Sequence, residues 1–171
     1  MIELLLGIRS HPPFYMYMVS ITKIKESDIS QILFIHKECI SKTNSKYYSA
    51  EVTAEWLKQV TLENIKSQLN TSNWKKLNEG NKIIGFCQYD LIDEIIYQIQ
   101  ILPEYQGRGY GKTLYEHMEK EFIHKGSPRV FLNATINARK FYERLGFQVS
   151  GKVQFPLGNL ELEMYKMYKT F

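Results

Sequence analysis

Apolar and polar residues alternate over 19–25, the two-residue period of a half-buried strand. Ser27 and Asp28 then offer N-cap oxygens, and the period changes: Ile29, Ile32, Leu33, His36 and Ile40 recur at helical spacing. His36 on this pattern sits at the edge of a core. Polar residues 41–49 read as a loop with Tyr47 and Tyr48 at its end, and 50–69 as one or two helices broken near Thr61. Residues 70–73 read as a turn, 74–77 as a short strand, and Asn78-Glu79-Gly80-Asn81 as a hairpin turn. Residues 82–91 and 94–102 are two further strands, the second closed by Pro103. Over 113–122 a helix buries Leu114, Tyr115, Met118 and Phe122, and Gly126-Ser127-Pro128 ends it. A short strand at 129–132 precedes a helix at 135–145 with Ala138, Phe141, Tyr142 and Leu145 on one face. Gly146 suits the left-handed position after it. Residues 147–155 and 160–168 form a closing hairpin around Pro156-Leu157-Gly158-Asn159. The order predicts a mixed α/β (α+β mixed sheet) domain, an antiparallel meander feeding a parallel crossover. Residues 19–171 read as a single domain, and 1–18 as an N-terminal extension outside the core.

Between the strand at 94–102 and the helix at 113–122 stands Gln106-Gly107-Arg108-Gly109-Tyr110-Gly111-Lys112. Three glycines at alternate positions free the backbone to turn successive N–H groups the same way. At a helix N-terminus such groups carry partial positive charge and seat an anion. Arg108 and Lys112 add full charge, and no acid lies within 105–115. Cations there cost roughly 0.3–1 kcal/mol each unless an anion such as a phosphate or pyrophosphate binds.

Composition narrows the ligand. The net charge of +4 suits a small anion and is too diffuse for a nucleic-acid surface, and no Lys/Arg block occurs. Hydrophobic content of 44% argues against disorder and leaves a sizeable core for 171 residues. Cys39 and Cys87 lack metal-ligand spacing and read as free thiols in a reducing compartment, so no metal is expected. His36 precedes Cys39 on one helix face, which raises a nucleophile, but no oxyanion-hole signal accompanies it. No run spans a bilayer, and the start lacks the basic region and cleavage site of a signal peptide, so a cytoplasmic protein is expected.

The strand ending Ile99-Gln100-Ile101-Leu102-Pro103-Glu104-Tyr105 and entering Gln106-Gly107-Arg108-Gly109-Tyr110-Gly111 resembles the acetyl-CoA motif, Gln/Arg-x-x-Gly-x-Gly/Ala, of the GNAT superfamily of N-acetyltransferases. Leu132-Asn133-Ala134-Thr135-Ile136-Asn137-Ala138-Arg139-Lys140-Phe141-Tyr142-Glu143-Arg144-Leu145-Gly146-Phe147 resembles its second motif. The resemblance covers roughly residues 20–169 and is weakest before Lys82. It implies a central mixed sheet with splayed strands flanked by helices. Pantetheine would lie in the gap between 94–102 and 129–132, paired with backbone near Ile99 and Ile101. The N–H groups from Gln106 to Lys112 would hold the pyrophosphate. Asn133 would bind the cofactor, Asn137 and Tyr142 would sit beside its sulfur end, and Lys140 and Arg139 could reach the nucleotide phosphate.

The implied reaction is direct attack of a neutral primary amine on acetyl-CoA in a ternary complex. A lysine-like amine of pKa ~10.4 is neutral in only about one molecule in 2,500 at pH 7, a cost of roughly 4.6 kcal/mol, whereas an α-amine near ~7.8 costs only about 1 kcal/mol. The backbone N–H near Ile101 is the candidate for holding the oxyanion, and Tyr142 for protonating the departing thiolate. The base is the departure from the family pattern. The register expected to face the acceptor, Ile95, Tyr97, Ile99 and Ile101, contains no carboxylate. Glu94 or Asp93 turned inward by a bulge, Tyr97 anchoring a water chain, or Glu161 or Glu163 on the last hairpin are the alternatives. Phe34, Tyr47, Tyr48, Trp56 and Tyr97 are candidate acceptor walls. The expected acceptor is a small-molecule or peptide amine, with no nucleic-acid or membrane partner, on a monomer or homodimer. Two rivals stand beside this: a non-catalytic acyl-CoA sensor of the same fold, and a P-loop hydrolase. Gly111-Lys112-Thr113 resembles a P-loop's end, but Gln106 stands where that motif needs its first glycine.

Overall fold

Seven strands make one mixed sheet, and the order of their pairing places everything else. The computed structural model describes residues 19–171, and the extension expected over 1–18 lies outside them. The strands are β1 (Val19–Lys23), β2 (Asn73–Glu79), β3 (Lys82–Asp90), β4 (Ile95–Ile101), β5 (Arg129–Thr135), β6 (Gln148–Leu157) and β7 (Leu160–Thr170). They lie in the order β1-β2-β3-β4-β5-β7-β6. All neighbours are antiparallel except β4 and β5. The helices are α1 (Ile29–Lys42), α2 (Ala50–Gln59), α3 (Leu62–Leu69), α4 (Tyr110–Lys125) and α5 (Arg139–Arg144).

Alternation along the strands divides the core into two layers. On one face Ile32, Ile35 and Cys39 of α1 and Ile65 of α3 pack on Trp74, Phe86 and Leu102. On the other, α4 buries the four residues its period marks, Leu114, Tyr115, Met118 and Phe122, against Ile84, Cys87, Tyr89 and Ile96. Between β3 and β4 the approach is close. A Cβ on Gly85 would lie 2.6 Å from the Gln100 carbonyl oxygen, so only glycine fits.

One expected boundary holds and others differ from the sequence pattern, each for an identifiable reason. The break in 50–69 falls at Val60 and Thr61, where Thr61 accepts from Asn64 N–H and caps α3. Asp28 does not cap α1: its carboxylate accepts from Lys25 N–H at 2.8 Å and pairs with Lys76 at 2.7 Å. Strand β5 runs to Thr135 because β7 pairs with it that far, which delays α5 to Arg139. Both hairpin turns shrink to two residues, Gly80-Asn81 and Gly158-Asn159, since cross-strand pairing continues to their edges.

Candidate active site

Strands β4 and β5 pair only at Ile95 with Phe131 and Ile96 with Leu132. Beyond that point β4 stays on β3 and β5 stays on β7, so the two part. Leu102 N–H donates to Ile84 O, toward β3. Alternation therefore turns the N–H and C=O of Ile101 and Ile99 into the gap. The result is a strand edge with no neighbouring strand along one wall of a cleft of about 1090 Å³.

The glycine loop stands at the end of that edge. Gln106 binds it to β4 by donating from Nε2 to Ile101 O at 2.8 Å, and its own N–H is spent on Pro103 O. Gly109 holds the N-cap of α4 in the left-handed region at φ 88, which a side chain rarely adopts. The first helical donor with an intrahelical partner is Thr113 N–H, to Gly109 O. The amides of 109–112 are left over, as at any helix start, and here they adjoin the cleft. Gly107, Gly109, Gly111 and Lys112 line it. Two loop side chains turn elsewhere: Tyr110 Oη donates to Glu79, and Arg108 donates to Glu104 O and lies over the Tyr105 ring.

The second motif supplies the opposite wall. Asn133, Asn137 and Tyr142 all line the cleft. Asn137 Oδ1 accepts from buried Asn44 at 3.2 Å, which links the start of α5 to the segment after α1. Tyr142 is 6% exposed and packs edge-on to Phe141 and Phe147, at ring centroids of 5.0 and 5.5 Å. Among the described residues its hydroxyl has no hydrogen-bond partner. Burial raises the phenol's pKa, so it holds its proton at neutral pH. Lys140 is exposed and off the cleft wall, and Arg139 is engaged with Glu143 at 2.7 Å.

The other candidates divide. Tyr47, Trp56 and Tyr97 line the cleft. Phe34 is 51% exposed and does not, and Tyr48 is a strut, accepting from Ile136 N–H and donating to Glu163 O. Glu94 immediately precedes β4 at φ 57, its carbonyl taken by Phe131 N–H, and is not part of the wall. Glu163 pairs with Lys152 at 2.9 Å. Among the described residues no Asp or Glu lines the cleft. Nor does any group of three His, Cys, Asp or Glu among them suit a metal ion. No described helix is long and apolar enough to cross a membrane.

The expected acceptor-facing register of β4 is redistributed by a bulge. Gln88 pairs with Gln98 but Tyr89 with Ile96, so Tyr97 is an extra residue. Ile99 packs with the α4-side core, whereas Gln98 and Gln100 stand on the α1 side with their partners Gln88 and Phe86. These glutamines, and Arg144 on the cleft wall, escaped the sequence reading. The clue available was three glutamines at 88, 98 and 100 in otherwise apolar strands.

Two groups inside the cleft are chemically quiet. Cys39 donates its thiol to Ile101 O at 3.1 Å, and burial pushes that thiol up to about 12, which removes it as a nucleophile. His36, set edge-on to Phe86, is held by burial at about 4 instead of 6.5 and stays neutral at pH 7. Between these values unfolding takes up a proton, so stability should fall as pH drops from about 6.5 toward about 4. This group contributes up to about 1.4 kcal/mol per pH unit. Thermal melts of wild type and His36→Asn check this: the gap between them should shift toward the variant on acidification, and a gap independent of pH would refute it.

Comparison with known proteins adds to this geometry. A family model described as an acetyltransferase (GNAT) domain matches residues 44–168. The [ribosomal protein bS18]-alanine N-acetyltransferase of Haemophilus influenzae is 41% identical over 76 residues, 42% of this chain and 52% of that protein. The chain thus spans about half the length of that relative. A GCN5-related N-acetyltransferase structure from Rhodopseudomonas palustris superposes at TM-score 0.85 with 19% identity, covering 89% of this chain and 95% of that one. The PaiA N-acetyltransferase of Thermoplasma acidophilum, solved in complex with coenzyme A, superposes at 0.71 with 19% identity, over 90% and 99%.

Proposed function

The chain belongs to the GNAT acetyltransferase family, and on that premise we propose that it transfers the acetyl group of acetyl-CoA to a primary amine by direct attack in a ternary complex. One observation carries the proposal: a strand edge at Ile99 and Ile101 with no neighbouring strand, whose Ile101 carbonyl is held by Gln106 and Cys39, runs straight into unpartnered helix amides. An extended amide chain ending in a pyrophosphate matches both parts, one by strand-like pairing and the other by an N-terminal anion seat.

The residues present fit that group. Main chain at Ile99 and Ile101 would pair with pantetheine. The amides of 107–112 and Lys112 would take the pyrophosphate. Arg144 lies on the same wall and adds positive charge. When bound, acetyl-CoA supplies an acetyl group activated as a thioester. Tyr142 Oη holds a proton in the cleft for the departing sulfur, with no competing protein bond among the described residues. Asn137, fixed by Asn44, positions the turn that brings Tyr142 there. Glu94 is not among the residues lining the cleft, so the amine must arrive neutral; the proton its nitrogen sheds as the amide forms leaves to water, which also restores the one Tyr142 gives to sulfur. The related Haemophilus influenzae protein is named for an alanine of a ribosomal protein, which supports a peptide amine beside small-molecule amines as acceptor.

Isothermal calorimetry with coenzyme A, paired with a thiol-release assay over an amine panel, tests the proposal. Saturable binding with amine-dependent thiol release is expected. Binding without release from any amine would favour the sensor, and no binding would overturn the assignment of the cleft.

A further inference from the structure

Four glutamine side chains and one serine form a hydrogen-bonded chain across the α1 side of the sheet, and its direction is fixed at one end. The Trp74 indole, a donor only, is shared between Ser72 Oγ at 3.0 Å and Gln68 O at 3.2 Å. Ser72 spends its single proton on Gln68 O at 3.0 Å. With that proton placed on Gln68 O, Ser72 Oγ accepts from the amide nitrogen of Gln88 at 3.0 Å. That nitrogen's other proton goes to Gln68 Oε1 at 2.8 Å. Gln88 is 4% exposed, so leaving either group unmatched would be costly and the side chain is held in this orientation.

The orientation propagates. Gln88 Oε1 now faces β4 and takes a proton from Gln98 Nε2 at 2.8 Å. Gln98 Oε1 in turn takes one from Gln100 Nε2 at 3.4 Å. The last group is Gln100 Oε1, a carbonyl oxygen on the cleft wall to which nothing donates among the described residues. Its neighbours in sequence are Ile99 and Ile101, whose main chains lie on the strand edge proposed to pair with pantetheine.

We propose that Gln100 is the acceptor-positioning residue: the chain from Trp74 through Gln88 turns its side-chain oxygen outward to take one N–H of a neutral primary amine. This rests on the transferase reading above. A carboxamide oxygen accepts an N–H without removing the proton, so the amine's lone pair stays free for the acyl carbon. With carboxamides and no carboxylate lining the wall among the described residues, the neutral fraction is set by the amine's own pKa. At neutral pH that favours an α-amine over a lysine ε-amine by roughly 350-fold in the neutral form. The acceptor class is therefore a low-pKa amine, such as the α-amine of a peptide.

The test uses the full chain with acetyl-CoA and three amines: alaninamide, glucosamine and Nα-acetyl-lysine amide. Wild type should turn over alaninamide best. Gln100→Met, matched in length and unable to offer the oxygen, should raise the KM for alaninamide about 3- to 10-fold, the worth of one hydrogen bond, with the KM for acetyl-CoA unchanged. Calorimetry of alaninamide into the enzyme saturated with coenzyme A should show the same loss. Gln98→Met, which frees Gln100 to turn, should weaken the acceptor less and in the same direction. Where Gln100→Met fails to fold, the Gln98 variant decides alone. An unchanged acceptor KM, a parallel rise of both KM values, or coenzyme A binding with turnover of none of the three amines overturns the proposal. Absence of coenzyme A binding in wild type would instead remove the reading on which it rests.

Discussion

Replacing Tyr142 by Phe is expected to lower kcat by about 100-fold or more, the usual worth of a positioned general acid, while coenzyme A affinity stays unchanged. The substitution removes one oxygen and little else. The ring keeps its edge contacts with Phe141 and Phe147, and no protein bond to the hydroxyl is lost among the described residues. Thermal stability should therefore hold. Steady-state thiol release, calorimetry with coenzyme A and a melting curve separate the outcomes. A kcat close to wild type removes Tyr142 as the proton source. A collapsed melting temperature assigns the hydroxyl to structure instead.

Replacing Gly109 by Val should do the opposite, lowering affinity for coenzyme A. At φ 88 the N-cap of α4 sits in a region that costs an ordinary residue about 1–2 kcal/mol, and a β-branched one more. Nothing lies within 4 Å of an added Cβ, so the penalty is conformational and not a clash. The loop relieves it by turning, and the leftover amides then miss the pyrophosphate. The expected loss is about 5- to 30-fold in the dissociation constant for coenzyme A, read by calorimetry. Gly80→Val is the matched control. Its glycine is also left-handed, at φ 58, but lies in the β2–β3 turn. It should cost stability without touching coenzyme A affinity. Equal coenzyme A binding by wild type and the Gly109 variant would remove the loop from the site.

Much of the fold was legible because its signals are local. The four buried residues of α4 follow from a 3.6-residue period, and the break at Thr61 from a capping side chain. Asp28 shows where local logic stops. It has the right chemistry for a cap, but Lys76 on β2, far along the chain, draws its carboxylate away. The start of α5 departs from its local pattern for the same kind of reason, since pairing with β7 extends β5 through Thr135.

The candidate site divides along the same line. The glycine loop, Asn137 and Tyr142 stand out because each has a residue type and a spacing that a chain cannot hide. Glu94 was a reasonable base on strand proximity alone, yet the turn that precedes β4 leaves it off the wall. The glutamine chain was out of reach. One extra residue at Tyr97 changes which side chains of β4 share a face, and a bulge depends on the partner strand as much as on its own sequence.

The amino-acid order by itself set the periods, the turns and a glycine-rich loop of free amides between a strand and a helix, since each needs only neighbours within a few residues. The folded sheet alone decided where β4 and β5 separate, which oxygen ends the glutamine chain and which acids stay out of the cleft. Those outcomes are fixed by pairing between strands remote in sequence: β3 holds β4 and β7 holds β5 along their outer edges, while the edges facing each other pair only at Ile95 and Ile96.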